Sequence, residues 1–310
     1  MHRDTRALWM RRVRARGTIA ARALLAPHPR HIPIGNRLVG KGQPIYIIAE
    51  IGMNHNGSVV RAKTLIDAAV EAGADAVKFQ KRSLEATYQK DVLEHPEHYE
   101  QSFQYLIPLL REFELTEKDF VALKAHADKR GILMFATPFD EPSVDFIARV
   151  MQPPMYKVAS ADLINFPLLE RLLKENKPLL LSTGMSSLDE IDATAAFLHK
   201  RRAQFMFLHA HSSYPAAPDT LNLAMIRHLT ARYRVPVGYS GHELGIHHTL
   251  QAVALGATLV ERHITLDHNL PGPDHAASLT PQEFKELVLR IREMKVSFGM
   301  PRKQISRGEV

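Results

Sequence analysis

From Lys41 onward, short runs of apolar, β-prone residues alternate with longer stretches whose apolar positions recur at helical spacing. Eight runs are predicted as strands: Ile45 to Ala49, Ala76 to Gln80, Ile132 to Thr137, Met155 to Ser160, Pro178 to Ser182, Phe205 to His209, Pro236 to Ser240 and Thr258 to His263. After the first, Ala62, Leu65, Ile66, Ala69 and Val70 share one helical face, and Gly73 follows as a C-cap. Thr116 with Asp119, Ser187 with Glu190 and Thr280 with Glu283 have capping-box spacing, and Pro281 takes the first helical position of the last helix. Strands alternating with helices predict parallel βα units. Eight of them between residues 41 and 298 fit the ~250-residue size of a (β/α)8 TIM barrel, which is the α/β fold expected here.

One connection breaks the rhythm. Residues 81 to 115, between the second strand and the helix starting at Thr116, are long and carry Tyr88, His95, Pro96, His98, Tyr99 and Tyr105. A connection beyond ~12 to 15 residues is a functional lid or subdomain, or else a surface excursion with helical turns of its own.

Charge changes the picture at one end only. Residues 1 to 31 hold eight arginines against Asp4 alone, which accounts for the whole net charge of +7. Residues 1 to 40 are therefore expected to be an Arg-rich, disordered extension, with an organelle transit peptide as the alternative. The folded part has no positive excess to neutralise phosphates, so nucleic acid is not an expected partner. No apolar run approaches the ~18 residues of a membrane span, and no membrane partner is expected. The chain has no Cys, which excludes disulfides, thiolate metal sites and a Cys nucleophile, and a cytoplasmic location is the default.

In a barrel of this kind the active site forms at the C-terminal strand ends, so the polar residues closing each run are the candidates. They are Glu50 on strand one, Lys78 and Gln80 on strand two, Thr137 on strand three, Lys157, Ser160 and nearby Asp162 on strand four, and Ser182 on strand five. His209 closes strand six, Ser240 with His242 strand seven, and Glu261 with His263 strand eight. Two lysines inside strands, ringed by hydroxyls, suit a phosphate or carboxylate; the alternative is that they pair with Glu50 or Glu261. His242 and His263 close adjacent strands and could reach one metal ion, although seventeen histidines make chance pairs easy. Neither GxGxxG, nor a P-loop, nor the GxSxG of serine hydrolases is present.

The runs IIAEIGMNHNG (47 to 57), GADAVKFQK (73 to 81), ATPFD (136 to 140), YKVAS (156 to 160), LLLSTGM (179 to 185), SSYPA (212 to 216), GYSGH (238 to 242), ALGATLVERHIT (254 to 265) and PGPD (271 to 274) resemble the sialic acid synthase family, in order and across nearly the whole barrel. That family comprises N-acetylneuraminate synthase and the legionaminic and pseudaminic acid synthases. The resemblance implies condensation of phosphoenolpyruvate with an open-chain N-acetylhexosamine, N-acetylmannosamine first, to a nine-carbon 2-keto acid and phosphate. It places Lys78, Thr137, Lys157, Ser160, Ser182 and Ser240 around phosphoenolpyruvate, with Glu50, Lys78 and Lys157 as the catalytic groups. Gln80, Asp162, Ser212, Tyr214 and Asp274 fall to the sugar, and His242 and His263 to a divalent metal, Mn2+ before Mg2+ or Co2+. A homodimer is implied as well.

Two positions differ from the family pattern: Asp162 stands where Glu is usual, and Ser212 where Asn is frequent. Both lie on the sugar side. Residues 299 to 310 are expected to begin a linker to the family's C-terminal antifreeze-like domain, which in a swapped dimer brings an Arg to the sugar. Apart from a different sugar, two alternatives stand: a metal-free aldolase with Lys78 or Lys157 as Schiff-base nucleophile, and a non-catalytic, sugar-binding form.

Overall fold

Each of the eight apolar runs forms a strand, and together they make one parallel sheet. The computed structural model describes residues 29–299, with Ile305 and Gly308 beyond them. Two short strands come first, β1 (His31–Ile34) and β2 (Arg37–Gly40). The barrel then runs β3 (Tyr46–Gly52), α1 (Val59–Ala72), β4 (Ala76–Lys81), the short helices α2 (Leu84–Thr87) and α3 (Lys90–Glu94), α4 (Gln101–Glu112), α5 (Glu117–Arg130) and β5 (Leu133–Pro138). It continues with α6 (Glu141–Val150), β6 (Tyr156–Val158), α7 (Phe166–Leu173), β7 (Leu179–Ser182), α8 (Leu188–Lys200) and β8 (Phe205–Ala210). It closes with α9 (Met225–Tyr233), β9 (Val237–Gly241), α10 (His247–Ala254), β10 (Leu259–His263) and α11 (Pro281–Ser297).

Hydrogen bonds run through the sheet in the order β5-β4-β3-β10-β9-β8-β7-β6, and β5 lies beside β6 at the remaining seam. This is the (β/α)8 barrel. Helix ends fall where the side chains ask for them: Thr116, Ser187 and Thr280 each cap a helix in a reciprocal box with Asp119, Glu190 and Glu283. Gly73 ends α1 in the left-handed region at φ 83°. On α1, Ala62, Leu65, Ile66 and Ala69 are buried as expected, Val70 is half-buried against the same core, and Ala72 joins the face. The fourth strand is shorter than predicted, because Ser160–Asp162 turns at once into a 3-10 helix.

The boundary set at residue 41 moves back to residue 31. β1 and β2 form an antiparallel hairpin turned by Gly35 at φ 59°, and Ile32, Ile34 and Val39 pack with Tyr46, Ile48, Met206 and Leu259 in a core of their own. These neighbours include residues at the N-terminal ends of barrel strands, so the hairpin plugs the end of the barrel away from the catalytic mouth. Asp75 fastens the plug, accepting from the backbone N–H of Ile47 at 2.8 Å, from Arg292 Nη2 at 3.0 Å and from Arg37. Ile32 is fully buried, so Ile32→Ala is expected to cost about 3 kcal/mol through lost burial and the cavity left behind. Urea denaturation checks it, and a loss below about 1 kcal/mol would mean the hairpin does not belong to the cooperative unit. The Arg-rich residues 1–28 and most of the expected linker lie outside the described residues.

The long connection between β4 and β5 is a helical subdomain. Leu84, Val92, Leu93, Ile107 and Leu110 bury one another in a separate small core, with Met53 and Tyr88 against it. Met53 follows directly on β3, so the subdomain sits at the catalytic mouth. No helix among the described residues is long and apolar enough to cross a membrane.

Candidate active site

Strand register decides which polar side chains meet. Glu50 is level with Lys78 across the β3–β4 ladder and with His263 across the β3–β10 ladder. Residues two apart on a strand share a face, so Lys78 and Gln80 on β4, and Glu261 and His263 on β10, project together toward the axis. All but Gln80 of these are buried.

Lys78 Nζ donates to Thr137 Oγ1 at 2.9 Å and lies 2.8 Å from Glu50 Oε2 and 3.7 Å from Glu261 Oε1. Burial alone would favour its neutral form, but Glu261 and Glu50 hold its pKa above the ordinary lysine value. Lys157 is placed differently. Its Nζ donates to Ser182 Oγ at 2.7 Å and to the Val158 carbonyl at 2.9 Å, with no ion pair among the described residues, and burial pulls its pKa down to about 8. Glu50 is pushed up to about 7 by burial, with Lys78 opposing the shift. Glu261 stays below the ordinary carboxylate range, since Lys78 and Lys157 outweigh its burial. Ser240 Oγ donates to Glu261 Oε1 at 3.2 Å. The lysines and strand-end hydroxyls thus lie within one buried polar cluster, as an anion-binding site requires. The pairing of Lys78 with both carboxylates, set out above as an alternative, is present too.

Ser160 and Ser212 meet over Gly184. A Cβ on Gly184 would fall 2.4 Å from Ser212 Oγ and 2.8 Å from Ser160 Oγ, so only glycine lets both hydroxyls approach the backbone there.

The two histidines lie with ring centroids 5.5 Å apart. His242 Nδ1 is 2.7 Å from the His211 carbonyl; a carbonyl only accepts, so Nδ1 carries the hydrogen and Nε2 keeps its lone pair. Burial lowers the pKa of His242 to about 4 and that of His263 well below the ordinary value. His263 Nδ1 is buried without a hydrogen-bond partner, 3.7 Å from Asp274 Oδ2. Two neutral imidazoles, one of them with an orphaned nitrogen beside a carboxylate, form a donor set that fits a divalent cation with open positions. Tyr214 lies against His242 with ring centroids 4.1 Å apart and planes tilted by 37°, and stands edge-on to His263 at 5.9 Å.

On the remaining side, Gln80 Nε2 donates to Glu50 Oε1 at 3.4 Å. Asp162 accepts from Asn165 Nδ2 at 3.0 Å, and its charge acts on Lys157. Sequence reasoning missed Arg82, which donates to Gln80 Oε1 and lies over the Phe139 ring, 4.1 Å from its centroid. The signal was available in the spacing, since Arg82 comes two residues after Gln80, directly beyond the end of β4. It also missed Gly184, whose role depends on two serines from distant loops.

A model of the NeuB family matches residues 65–303. The chain belongs to that family. An uncharacterised protein of Methanocaldococcus jannaschii is 44% identical over 86% of this chain and 76% of its own length. The N-acetylneuraminate-9-phosphate synthase of Homo sapiens is 40% identical over 87% of this chain and 75% of its own. Among solved structures, the N-acetylneuraminic acid synthetase of Leptospira borgpetersenii, in complex with citrate, superposes with a TM-score of 0.81 at 34% identity, covering 90% of this chain and 93% of that one. The reaction class is that of the NeuB family, phosphoenolpyruvate-dependent carbon–carbon bond formation with a sugar.

Proposed function

We propose that the chain condenses phosphoenolpyruvate with an N-acetylated hexosamine aldehyde, N-acetylmannosamine first, and water, giving a nine-carbon 2-keto acid and phosphate. The observation that carries the reading is the pair of buried lysines, each bonded to a strand-end hydroxyl, with Glu50 level with both Lys78 and His263. Lys78 and Lys157, with Thr137, Ser160, Ser182 and Ser240, hold the phosphate and carboxylate. Gln80, Asp162, Ser212, Tyr214 and Asp274 hold the sugar, and legionaminic- or pseudaminic-type acceptors are the variants on that side. His242 and His263 would hold a divalent cation, Mn2+ first, which when bound supplies Lewis-acid polarisation of the aldehyde oxygen.

Carbon 3 of phosphoenolpyruvate bonds to the aldehyde carbon, whose oxygen takes up a proton and becomes a hydroxyl; water adds at carbon 2, and as the carbon–oxygen bond to phosphate breaks, the added oxygen loses its remaining proton and becomes the ketone, the phosphate leaving with its bridging oxygen. The lysines stabilise the negative charge on phosphate and carboxylate throughout. Glu50, next to both Lys78 and Gln80, takes the proton of the attacking water. Glu50→Gln is expected to lower kcat about a hundredfold, as loss of a general base does; near-normal turnover would remove Glu50 from the chemistry. With Glu50 at about 7 and Lys157 at about 8, the base form gains above the first value and the ammonium is lost above the second. The free enzyme's kcat/KM should therefore peak between them, and a profile flat from pH 6 to 9 would contradict this assignment. Gly184→Ala, which pushes Ser160 and Ser212 apart, is expected to raise the KM for phosphoenolpyruvate about tenfold, or 1.4 kcal/mol of binding.

Phosphate release from phosphoenolpyruvate, measured with Mn2+ and N-acetylmannosamine and repeated with a chelator, tests the function. No release with this or other N-acetylated sugars would leave the non-catalytic reading. The depressed pKa of Lys157 is also what a Schiff-base nucleophile needs. Borohydride trapping without metal would transfer the reading to that chemistry. A cytoplasmic homodimer completes the proposal, and a monomer in sedimentation would remove its second half.

A further inference from the structure

Two strands deliver the histidines, but only one of them lies inside its strand. His263 is the last residue of β10, whereas His242 follows the end of β9 at Gly241 and depends on something beyond the ladder for its place. Between Glu261 and His263, Arg262 points to the opposite face and is completely buried, as is Glu243, the residue after His242.

These two share one buried network, in which Arg262 bonds through its two terminal nitrogens while its Nε is left without a partner. Arg262 Nη1 lies 3.0 Å from Glu243 Oε1, 2.8 Å from the Gly245 carbonyl and 2.7 Å from Thr249 Oγ1, and Nη2 donates to the Glu243 carbonyl at 2.6 Å. Glu243 also accepts from Thr249 Oγ1 at 2.6 Å and from Tyr239 OH at 2.8 Å. Arg262 is level with Gly241 in the ladder. A Cβ on Gly241 would fall 2.6 Å from Glu243 Oε2 and 2.9 Å from Arg262 Cδ, so the pair packs against bare backbone where the two strands part. Arg262 therefore grips both the backbone and the side chain of the residue next to His242. The grip extends further, because the His242 carbonyl accepts from the Ala216 N–H at 2.9 Å, tying in the loop that carries Tyr214.

A buried ion pair is weak evidence for stability, since apolar residues of similar volume are tolerated in its place. Its value here is geometric. We propose that Arg262 and Glu243 are positioning residues, a clamp outside the barrel wall that fixes His242 and His263 at the spacing one divalent cation requires. The proposal rests on the reading that these histidines hold a cation. Partners behind metal ligands typically govern affinity tenfold to a hundredfold.

The test is calorimetric titration of the metal-free protein with Mn2+ alone, on the wild type, on His242→Ala and on the double variant Arg262→Met with Glu243→Met, which leaves no buried charge unpaired. The double variant is expected to keep its circular dichroism and its metal-free affinity for phosphoenolpyruvate, while binding Mn2+ at least about tenfold more weakly. Equal losses for Mn2+ and phosphoenolpyruvate would mean a merely structural role and overturn the clamp. Unchanged Mn2+ binding by the double variant, with binding lost in His242→Ala, would overturn the clamp and leave the metal site standing. Wild-type binding that does not depend on His242 would overturn both together. If the double variant does not fold, Arg262→Gln with Glu243→Gln, which keeps polar side chains and again leaves no buried charge unpaired, is held to the same comparison.

Discussion

His263→Ala is expected to lower kcat at least about a thousandfold while leaving the barrel folded, because Lewis-acid activation contributes several kcal/mol and each 1.36 kcal/mol is tenfold in rate. The fold should survive. The imidazole is neutral, its Nδ1 is already an unpaired buried atom, and removing it strands no partner. A second readout separates the site from the chemistry: Mn2+ at about a hundred times its Kd stabilises a protein that binds it only when folded by about 2.7 kcal/mol. Wild type should gain that increment in thermal unfolding and His263→Ala should lose it. A variant that still gains it, or that still turns over after chelation, would place the cation elsewhere.

How far this site could be read without coordinates depended on the period of the chain. Every barrel strand was legible because a parallel strand covered by helices is a short apolar run between turn residues, and the three capping boxes marked the helix starts. The polar residues that close those runs were legible for the same reason. An apolar run leaves its few polar members conspicuous, and Lys78, Lys157, Glu261 and His263 all stand inside one.

What was not legible depended on contacts between distant segments or on a competing signal. The hairpin at residues 31–40 was absorbed into the Arg-rich tail, although Ile32 and Ile34 alternate with polar or exposed neighbours and Gly35-Asn36 makes the turn. Arginine content spoke louder than a four-residue alternation. Glu243 gave no sign at all. It lies in a loop, and its value comes from Arg262, nineteen residues on, which only the β9–β10 register brings beside it.

Lys157→Met is expected to lower kcat/KM for phosphoenolpyruvate about a thousandfold, since removal of one fixed group facing the developing charge costs 10²–10³ and a full ammonium lies at the upper end. Methionine keeps the apolar stem and removes only the charge. No carboxylate lies in ion-pair contact with Lys157 among the described residues, and Glu261, which Lys157 helps to hold ionised, keeps Lys78 beside it, so the barrel should stay folded with at most a small loss of stability. Lys78 offers no such clean experiment. It stands 2.8 Å from Glu50 and 3.7 Å from Glu261, and its loss leaves two buried carboxylates without their cation, a change that costs about 3–5 kcal/mol when one partner of a buried pair is removed. The two substitutions should therefore separate: Lys157→Met folded and inactive, Lys78→Met inactive and unstable. The pH profile adds a sharper mark. If the alkaline limb near 8 belongs to Lys157, the residual activity of Lys157→Met should rise through about 7 with Glu50 and then stay level. A limb that persists at the same pH in that variant would assign the loss to another group and leave Lys157 a structural lysine.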